Sequence, residues 1–294
     1  MHALYSIVVP RDLADLLHAI STDFPAMLHD NLVGIYLWGS LTYDAFDETC
    51  SDVDLVCVTR HDLEDRQFQE LDQWFARQRG RNRWVQRIDM RFVIDHEFLD
   101  KTSRCCGFYQ YRGKLVRHGS DGNPIIWINV ARSGITLWGK DARLIAPQVS
   151  DQCLSDALLL ELSYLKEDLA SNAGDRSDKV FVHNAYAVLT ACRILYSACH
   201  RALASKDKAS EWAMKTTPPT WRAIIHFAKT NRLRNAGSTT TQAEQDAMAF
   251  VRFVTDEVSR MLGGSGFVKE HGSNPPSRTN KLLPLVPVGC LSST

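Results

Sequence analysis

The sequence predicts an α+β domain, with a mixed sheet and flanking helices, followed by an all-α helical-bundle domain. Strand-like and helix-like patterns alternate over residues 1–149, whereas residues 150–263 show helical periodicity alone. A length of 294 residues allows two domains, each with its own hydrophobic core. Residues 264–294 combine repeated Gly, Ser and Pro with no period, which predicts a disordered tail.

The first domain begins with a helix over residues 10–30, where apolar positions recur at helical spacing. Two short runs rich in β-forming residues, "LVGIYLWG" and "VDLVCVT", predict buried strands. Residues 61–80 predict an amphipathic helix with Gly80 at its C-terminal end. The segment "RWVQRIDMRFVID" alternates in the period-two manner of a third strand.

Two later segments, "PIIWINVARSG" and "ITLWGKDARLIAP", predict a helix or strand and then a return to the first domain. From residue 150 onward the periodicity predicts four or five helices. One of these contains Cys192 and Cys199, which we expect to be small buried residues rather than a redox pair.

Composition and charge argue against several classes of protein. Lys plus Arg and Asp plus Glu both number 34, so no global field attracts nucleic acid or an anionic membrane. The 8 cysteines show no C-x-x-C pair and no zinc-ligand spacing, which predicts free thiols in a reducing compartment. We see neither a signal peptide nor an apolar run long enough to span a bilayer, so we expect a cytoplasmic protein.

A pair of carboxylates at the start of the second strand points to metal chemistry. Asp52 and Asp54 are two residues apart, so in a strand they project to the same face. Two carboxylates this close repel unless a cation lies between them, and Mg²⁺ binds through one or two carboxylates, water and phosphates. Asp89, on the next predicted strand, either completes the metal site or acts as general base toward an attacking hydroxyl.

The turn before this pair suits a phosphate. Gly39 permits close backbone approach, and Ser40 offers a hydroxyl and N–H groups at the start of a short helix. An isolated D-x-D at a strand end is usually a solvated turn. The apolar strands on both sides, the Gly-Ser turn and Asp89 together favour a metal-dependent nucleotidyl-transfer site.

Two stretches resemble a known family. "GSLTYDAFDETCSDVDLV" resembles the G-S-x(10–12)-D-x-D signature of the polymerase-β-like nucleotidyltransferase fold. "LTACRILYSACHRALASKDKASEWAM" followed by "TTPPTWRAIIHFAK" resembles the helical C-terminal domain of the aminoglycoside O-adenylyltransferases that act on streptomycin and spectinomycin. The resemblance, which covers residues 33–260 approximately, implies Mg²⁺-dependent transfer of AMP from ATP to a hydroxyl of a small cationic acceptor. It also implies that the acceptor, an aminoglycoside or aminocyclitol, binds in a cleft between the domains.

The resemblance also implies roles for individual residues. The phosphate-binding residues would be Gly39, Ser40, Ser51, Arg193 and Lys206. Asp52 and Asp54 would bind the metal, and Asp89 stands where the family has its glutamate base. Asp175 and Asp178 loosely match the family's acidic acceptor contacts. Three departures stand out. Asp44 replaces a glycine, Arg232 replaces a nucleotide-binding tyrosine, and Asp89 is one methylene shorter than glutamate, with Asp95 as a fallback base.

Three alternatives remain open at this point. The arginine-rich segment "WFARQRGRNRWVQRIDMR" either forms a solvated surface or binds nucleic acid. Arg193 and His200 resemble the Arg-x(4–6)-His pair of HEPN-type ribonucleases. A non-catalytic nucleotide-binding protein, or a transferase with another acceptor, would share the same fold. Our main expectation is a monomer that acts on a small molecule, with neither nucleic acid nor a membrane as partner.

Overall fold

The computed structural model describes residues 8–43, 45–95, 108–111, 114–117, 123–171, 178–231 and 241–263. The predicted tail, residues 264–294, lies outside this part of the chain. The chain divides into two compact units, Met1–Ser150 and Asp151–Thr294. None of the helices in the described residues combines the length and hydropathy needed to cross a bilayer.

The first unit alternates helices and strands. In chain order these are α1 Arg11–Leu28, β1 Leu32–Leu37, β2 Val53–Thr59, α2 Asp65–Arg79, β3 Ile88–Ile94, β4 Phe108–Tyr111, β5 Lys114–Arg117, α3 Pro124–Ser133, β6 Ile135–Gly139 and α4 Ala142–Ile145. The sequence patterns predict α1, β1, β2, α2 and β3 close to these bounds. None of the predicted elements corresponds to β4 or β5. Asn123 caps α3 by accepting a hydrogen bond from the Ile125 N–H, and Pro124 fits the first helical turn.

The strands form one sheet in the order β5-β4-β3-β2-β1-β6. β2 and β3 run parallel, and the other neighbouring pairs run antiparallel. The predicted mixed sheet with flanking helices is therefore confirmed. The parallel pair explains the near-continuous apolar run of β2, because parallel strands are covered on both faces.

Each face of the sheet has its own apolar core. On one face, α1 and α2 cover Leu55, Cys57 and Met90 with side chains that include Phe24 and Phe75. On the other face, α3 covers a cluster that consists of Tyr36, Val56, Val58, Val93, Ile126, Trp127, Val130 and Ala142. Strand alternation places Asp54 and Asp89 on this second face, beyond the end of the apolar cluster.

The second unit is a bundle of five helices within the described residues. These are α5 Asp151–Ser171, α6 Asp178–His200, α7 Lys206–Thr216, α8 Arg222–Asn231 and α9 Thr241–Gly263. Helix α6 is central, since it packs against each of the other four. Its small buried residues, such as Ala187 and Ala191, permit this close packing. Cys192 is buried as predicted, but the prediction is wrong for Cys199, which lies exposed near the end of α6.

Candidate active site at the ends of two parallel strands

The Gly-Ser turn lies directly against one carboxylate of the predicted pair. Gly39 begins a 3-10 turn, Gly39–Thr42, and has a φ of +73°. A Cβ atom at this position would lie 1.9 Å from Oδ2 of Asp54. The Trp38 N–H, one residue earlier, donates to the Asp54 carbonyl at 3.1 Å. The turn therefore needs glycine both for its left-handed backbone and for the space beside the carboxylate.

Helix α3 holds this turn from the far end of the unit's sequence. The Oδ1 atom of Asn129 accepts hydrogen bonds from the Gly39 N–H and the Thr42 hydroxyl, both at 3.2 Å. The Thr42 hydroxyl also lies 2.9 Å from the Gly39 carbonyl and 3.1 Å from Oγ of Ser133. Asn129 is only 2% exposed. Sequence reasoning missed this residue, and the available signal was an amide inside the apolar segment "PIIWINV".

The predicted carboxylates meet at one end of the parallel pair. Asp54 and Asp89 are direct partners in the β2–β3 register, so their side chains project from the same face. Asp52 precedes β2 by one residue, and all three aspartates are half-buried. Arg91 lies beside the predicted base, with its Nη2 atom 3.8 Å from Oδ2 of Asp89.

No group of three or more His, Cys, Asp or Glu side chains in the described residues is arranged to hold a metal ion. Mg²⁺ does not require one, because it commonly takes one or two carboxylates and completes its octahedron with water and phosphate oxygens. The half-buried Asp52 and Asp54, with the Gly-Ser backbone against Asp54, fit that requirement. The assignment of Asp52, Asp54 and Asp89 as ligands stays a prediction.

Asp95 does not lie near this site. It follows the C-terminal end of β3, where its N–H donates to the Thr59 carbonyl at 2.9 Å. Asp89 lies at the opposite end of the same strand, about 20 Å away at the usual rise per residue. The fallback assignment of Asp95 as general base is therefore wrong.

The segment between the Gly-Ser turn and the carboxylates folds around its own aspartate. We call residues 45–52 the acidic loop. The Asp47 carbonyl accepts from the N–H groups of Cys50 and Ser51, at 3.1 and 2.8 Å, and the Asp47 N–H donates to Oγ of Ser51 at 2.9 Å. Oδ1 of Asp47 also accepts from the Thr49 N–H at 2.9 Å. Ser51 therefore has a defined position next to Asp52, whereas Asp44 lies outside the described residues.

Arginines from the turn before β3 pack against this loop. The guanidinium carbons of Arg83 and Arg87 lie 4.8 and 4.4 Å from the Trp84 ring centroid, and Phe46 of the loop lies 5.6 Å from the same ring. Arg83 also pairs with Asp12 at 2.7 Å, and its hydrogen bond holds the pKa of that carboxyl below its usual range. These contacts engage Arg83, Arg87 and Arg91 within the chain. They favour the solvated-surface interpretation of the arginine-rich segment over a nucleic-acid site.

The two cations predicted on the second unit lie on neighbouring parts of α6 and α7. The Nε–H of Arg193 donates to the Ala204 carbonyl at 3.0 Å, two residues before Lys206. The Lys206 ammonium lies 5.0 Å from the ring centroid of Tyr186. Tyr186 and Arg193 are two helical turns apart and share a face of α6. The structure therefore brings Arg193 and Lys206 to one region of this unit.

His200 packs as part of an aromatic cluster. Its ring centroid lies 4.3 Å from that of Tyr196 and 5.2 Å from that of Trp212. The imidazole is thus engaged in ring contacts, while Arg193 is bonded to the Ala204 carbonyl. This arrangement lends no support to a ribonuclease pair.

The residues predicted for the acceptor stay predictions. Asp175 lies outside the described residues, and so does Arg232, which stands in place of the family's nucleotide-binding tyrosine rather than of an acceptor contact. Asp178 is the first residue of α6, but its side chain is also outside the described set.

Comparisons with known proteins bear on this geometry. Residues 145–257 match the family model described as "Aminoglycoside adenylyltransferase, C-terminal domain". A spectinomycin 9-adenylyltransferase of Campylobacter jejuni is 21% identical over 248 residues, which cover 80% of this chain and 92% of the relative. An aminoglycoside (3'') (9) adenylyltransferase of Klebsiella pneumoniae is 29% identical over 139 residues, 47% of this chain and 49% of that protein.

The fold has a counterpart among solved structures. A crystal structure of the spectinomycin adenyltransferase AAD(9) from Enterococcus faecialis, with ATP and spectinomycin, superposes with a TM-score of 0.62 at 17% identity. The match covers 83% of this chain and 99% of that one. These comparisons confirm the resemblance that the sequence predicts, and they confirm the fold class.

Proposed function

We propose that this chain, which is aminoglycoside adenylyltransferase-like, transfers AMP from ATP to a hydroxyl of an aminoglycoside or aminocyclitol such as spectinomycin or streptomycin. The observation that carries the proposal is the position of the Gly39 turn against Asp54, whose register partner is Asp89. The matched C-terminal domain and the named relatives support an enzyme of the nucleotidyltransferase class.

The metal would be held by Asp52 and Asp54. When bound, Mg²⁺ neutralises phosphate charge and stabilises the attacking and leaving oxygens of an in-line displacement. The chain's own contribution begins with Ser40 at the turn and Ser51 at the end of the acidic loop. Oγ of Ser51 accepts from the Asp47 N–H at 2.9 Å, so the hydroxyl proton is directed to another acceptor, for which a phosphate oxygen is suitable.

Asp89 is proposed as the general base. Its carboxylate would take the proton of the acceptor hydroxyl while that oxygen bonds to the α-phosphorus and pyrophosphate departs. Arg91, 3.8 Å away, orients this carboxylate from the same strand. In the second unit, Arg193 and Lys206 are proposed to contact the triphosphate, where a guanidinium and an ammonium would offset its charge.

The test is turnover of ATP against a panel of aminoglycosides that includes spectinomycin and streptomycin. We expect pyrophosphate release that depends on both Mg²⁺ and one acceptor, with the mass of one AMP added to that acceptor. Asp54→Asn should abolish release while the protein stays folded. Unchanged release in Asp54→Asn would contradict the mechanism, and Mg²⁺-dependent ATP binding without transfer to any compound would favour a non-catalytic role.

The shorter base offers a matched control. Asp89→Asn removes the proton acceptor and should reduce kcat by about a hundredfold or more. Asp89→Glu keeps a carboxylate but moves it by about one C–C bond, about 1.5 Å, so its activity should lie between those of the wild type and Asp89→Asn. Equal activity of the wild type and Asp89→Asn would exclude Asp89 as the base.

A further inference from the structure

One half-buried guanidinium joins the acidic loop to the strand that carries Asp89. Arg87 ends the 3-10 turn Arg83–Arg87, immediately before β3. Its Nη1 donates to the Glu48 carbonyl at 2.7 Å, and its Nη2 donates to the Ser51 carbonyl. Burial lowers the pKa of Arg87, and the nearby Asp52 carboxylate opposes that shift. Arg87 therefore contacts the main chain of the loop and lies in the field of a predicted metal ligand.

These contacts complete the fixation of Ser51. Its N–H donates to the Asp47 carbonyl, its Oγ accepts from the Asp47 N–H, and its own carbonyl accepts from Arg87. The carbonyls of Glu48 and Ser51 are thereby bonded to a cation, which leaves the Ser51 hydroxyl proton as the donor for a phosphate. Charge-assisted bonds of this kind are about twice as strong as neutral ones.

We propose that Arg87 is a positioning residue for nucleotide binding: by holding the carbonyls of Glu48 and Ser51, it fixes the backbone that presents Ser51 and Asp52 to a magnesium nucleotide. The inference rests on the proposed function, because it takes the acidic loop to be part of the nucleotide site. Arg87 acts through the loop and touches no reacting atom.

Neighbouring Arg83 provides a matched control. Arg83 lies over the same Trp84 ring, but its partners are the side-chain carboxylates of Asp12 and Glu48, and it is 57% exposed. Removal of Arg83 therefore costs two exposed ion pairs, one of them to the side chain of Glu48 in the loop, and leaves the carbonyls of the loop bonded to Arg87. Ion pairs this exposed contribute little to stability.

The experiment measures binding of magnesium α,β-methylene-ATP by calorimetry in the full chain and in Arg87→Ala, Arg87→Lys and Arg83→Ala. We expect Arg87→Ala to weaken binding about tenfold, which corresponds to about 1.4 kcal/mol. Arg87→Lys should recover part of this loss, since an ammonium can donate to a carbonyl but lacks the two-pronged fork. Arg83→Ala should keep the wild-type affinity. Amide hydrogen exchange over residues 47–51, without nucleotide, should accelerate in Arg87→Ala and, to a smaller extent, in Arg87→Lys, but not in Arg83→Ala.

Unchanged affinity in Arg87→Ala, or an equal loss in Arg83→Ala, would overturn the inference. If Arg87→Ala does not fold, Arg87→Lys carries the same test, and wild-type affinity and exchange rates in it would also count against the proposal. Failure of the proposed function can be distinguished from failure of the inference about Arg87. A wild-type chain that binds the nucleotide but transfers no AMP refutes only that function, whereas a wild-type chain that binds no nucleotide refutes both.

Discussion

The first unit places carboxylates at the ends of two neighbouring strands, whereas the second unit places cations on one region of two packed helices. Asp54 and Asp89 are brought together by the parallel register of β2 and β3. Arg193 and Lys206 are brought together because α6 and α7 pack and Arg193 bonds to the Ala204 carbonyl. The two regions therefore carry opposite charges, and each is assembled by a different kind of contact.

The two regions should differ in how well they tolerate substitution. At Gly39, backbone conformation and space are both constrained, because a Cβ would lie 1.9 Å from a carboxylate oxygen of Asp54. At Arg193, a long side chain donates a hydrogen bond to the Ala204 carbonyl at 3.0 Å, and no comparable limit of backbone or space applies. We therefore expect single substitutions in the first region to reduce activity more than single substitutions in the second.

The largest expected effect is that of Gly39→Ala. The new methyl group must displace Asp54 or the turn, and the positive φ adds about 1–2 kcal/mol of backbone strain. A shift of about 1 Å in a reacting group can cost about a hundredfold, so we expect at least that loss in kcat/KM for AMP transfer. The measurement is steady-state pyrophosphate release.

Gly80→Ala is its control. A Cβ at Gly80 would meet nothing within 4 Å, and the residue has a φ of −82°. Activity and stability should therefore match the wild type. A Gly39→Ala protein with wild-type kcat/KM would show that the glycine turn does not determine the position of Asp54.

An intermediate effect is expected for the second unit. Arg193→Ala should raise KM for ATP about tenfold, as loss of one charge-assisted contact would. It should also lower the free energy of unfolding by about 1 kcal/mol, because the Ala204 carbonyl loses its partner. Lys206→Ala should also raise KM for ATP, and it removes the contact between the ammonium and the Tyr186 ring.

Urea denaturation with steady-state kinetics separates the two roles of Arg193. A Tm or unfolding midpoint that falls without a change in KM would make Arg193 a structural residue only. In that case the carboxylates of the first unit would have a role in activity, whereas the Arg193 cation of the second unit would have none.

The smallest effect is an alkaline loss of stability to which buried groups of both units contribute. Burial raises the pKa of Tyr36 from 10.0 to about 12 and that of Cys192 from 9.0 to about 12. Unfolded chains then lose these protons at lower pH than the folded protein, so the folded state holds more protons between about pH 9 and pH 12. The free energy of unfolding should be unaffected below pH 9 and should fall as pH rises through this window.

Urea titrations at pH 8 and at pH 10.5 check the sign of this effect. Tyr36→Phe keeps the ring and removes the titrating hydroxyl, so the fall in unfolding free energy between these pH values should become smaller by the contribution of Tyr36. An unfolding free energy that rises between these two pH values would contradict the assignment.

Local patterns in the sequence were sufficient for much of the fold. The period-two and helical patterns predicted α1, β2, α2 and β3 because each of these elements buries a repeating set of its own side chains. β4 and β5 had no such prediction, because short strands gain their stability from pairing rather than from a pattern of their own. The prediction that Cys199 is buried was wrong because this residue lies in the last turn of α6, and the end of a buried helix need not be covered by other side chains.

For the candidate site, the residue types and their spacing can be recognised in the sequence alone: the glycine turn, the D-x-D pair and the aspartate of the next strand. Each of these signals is local, because a turn, a strand start and a strand face are short-range features. Three features emerge from the folded chain alone: Asn129 of α3 binds the turn, Asp95 lies at the far end of β3 from Asp89, and Arg87 binds the acidic loop. These contacts join residues far apart in the chain, so they depend on how the sheet is covered and on strand register, which no short stretch of sequence specifies.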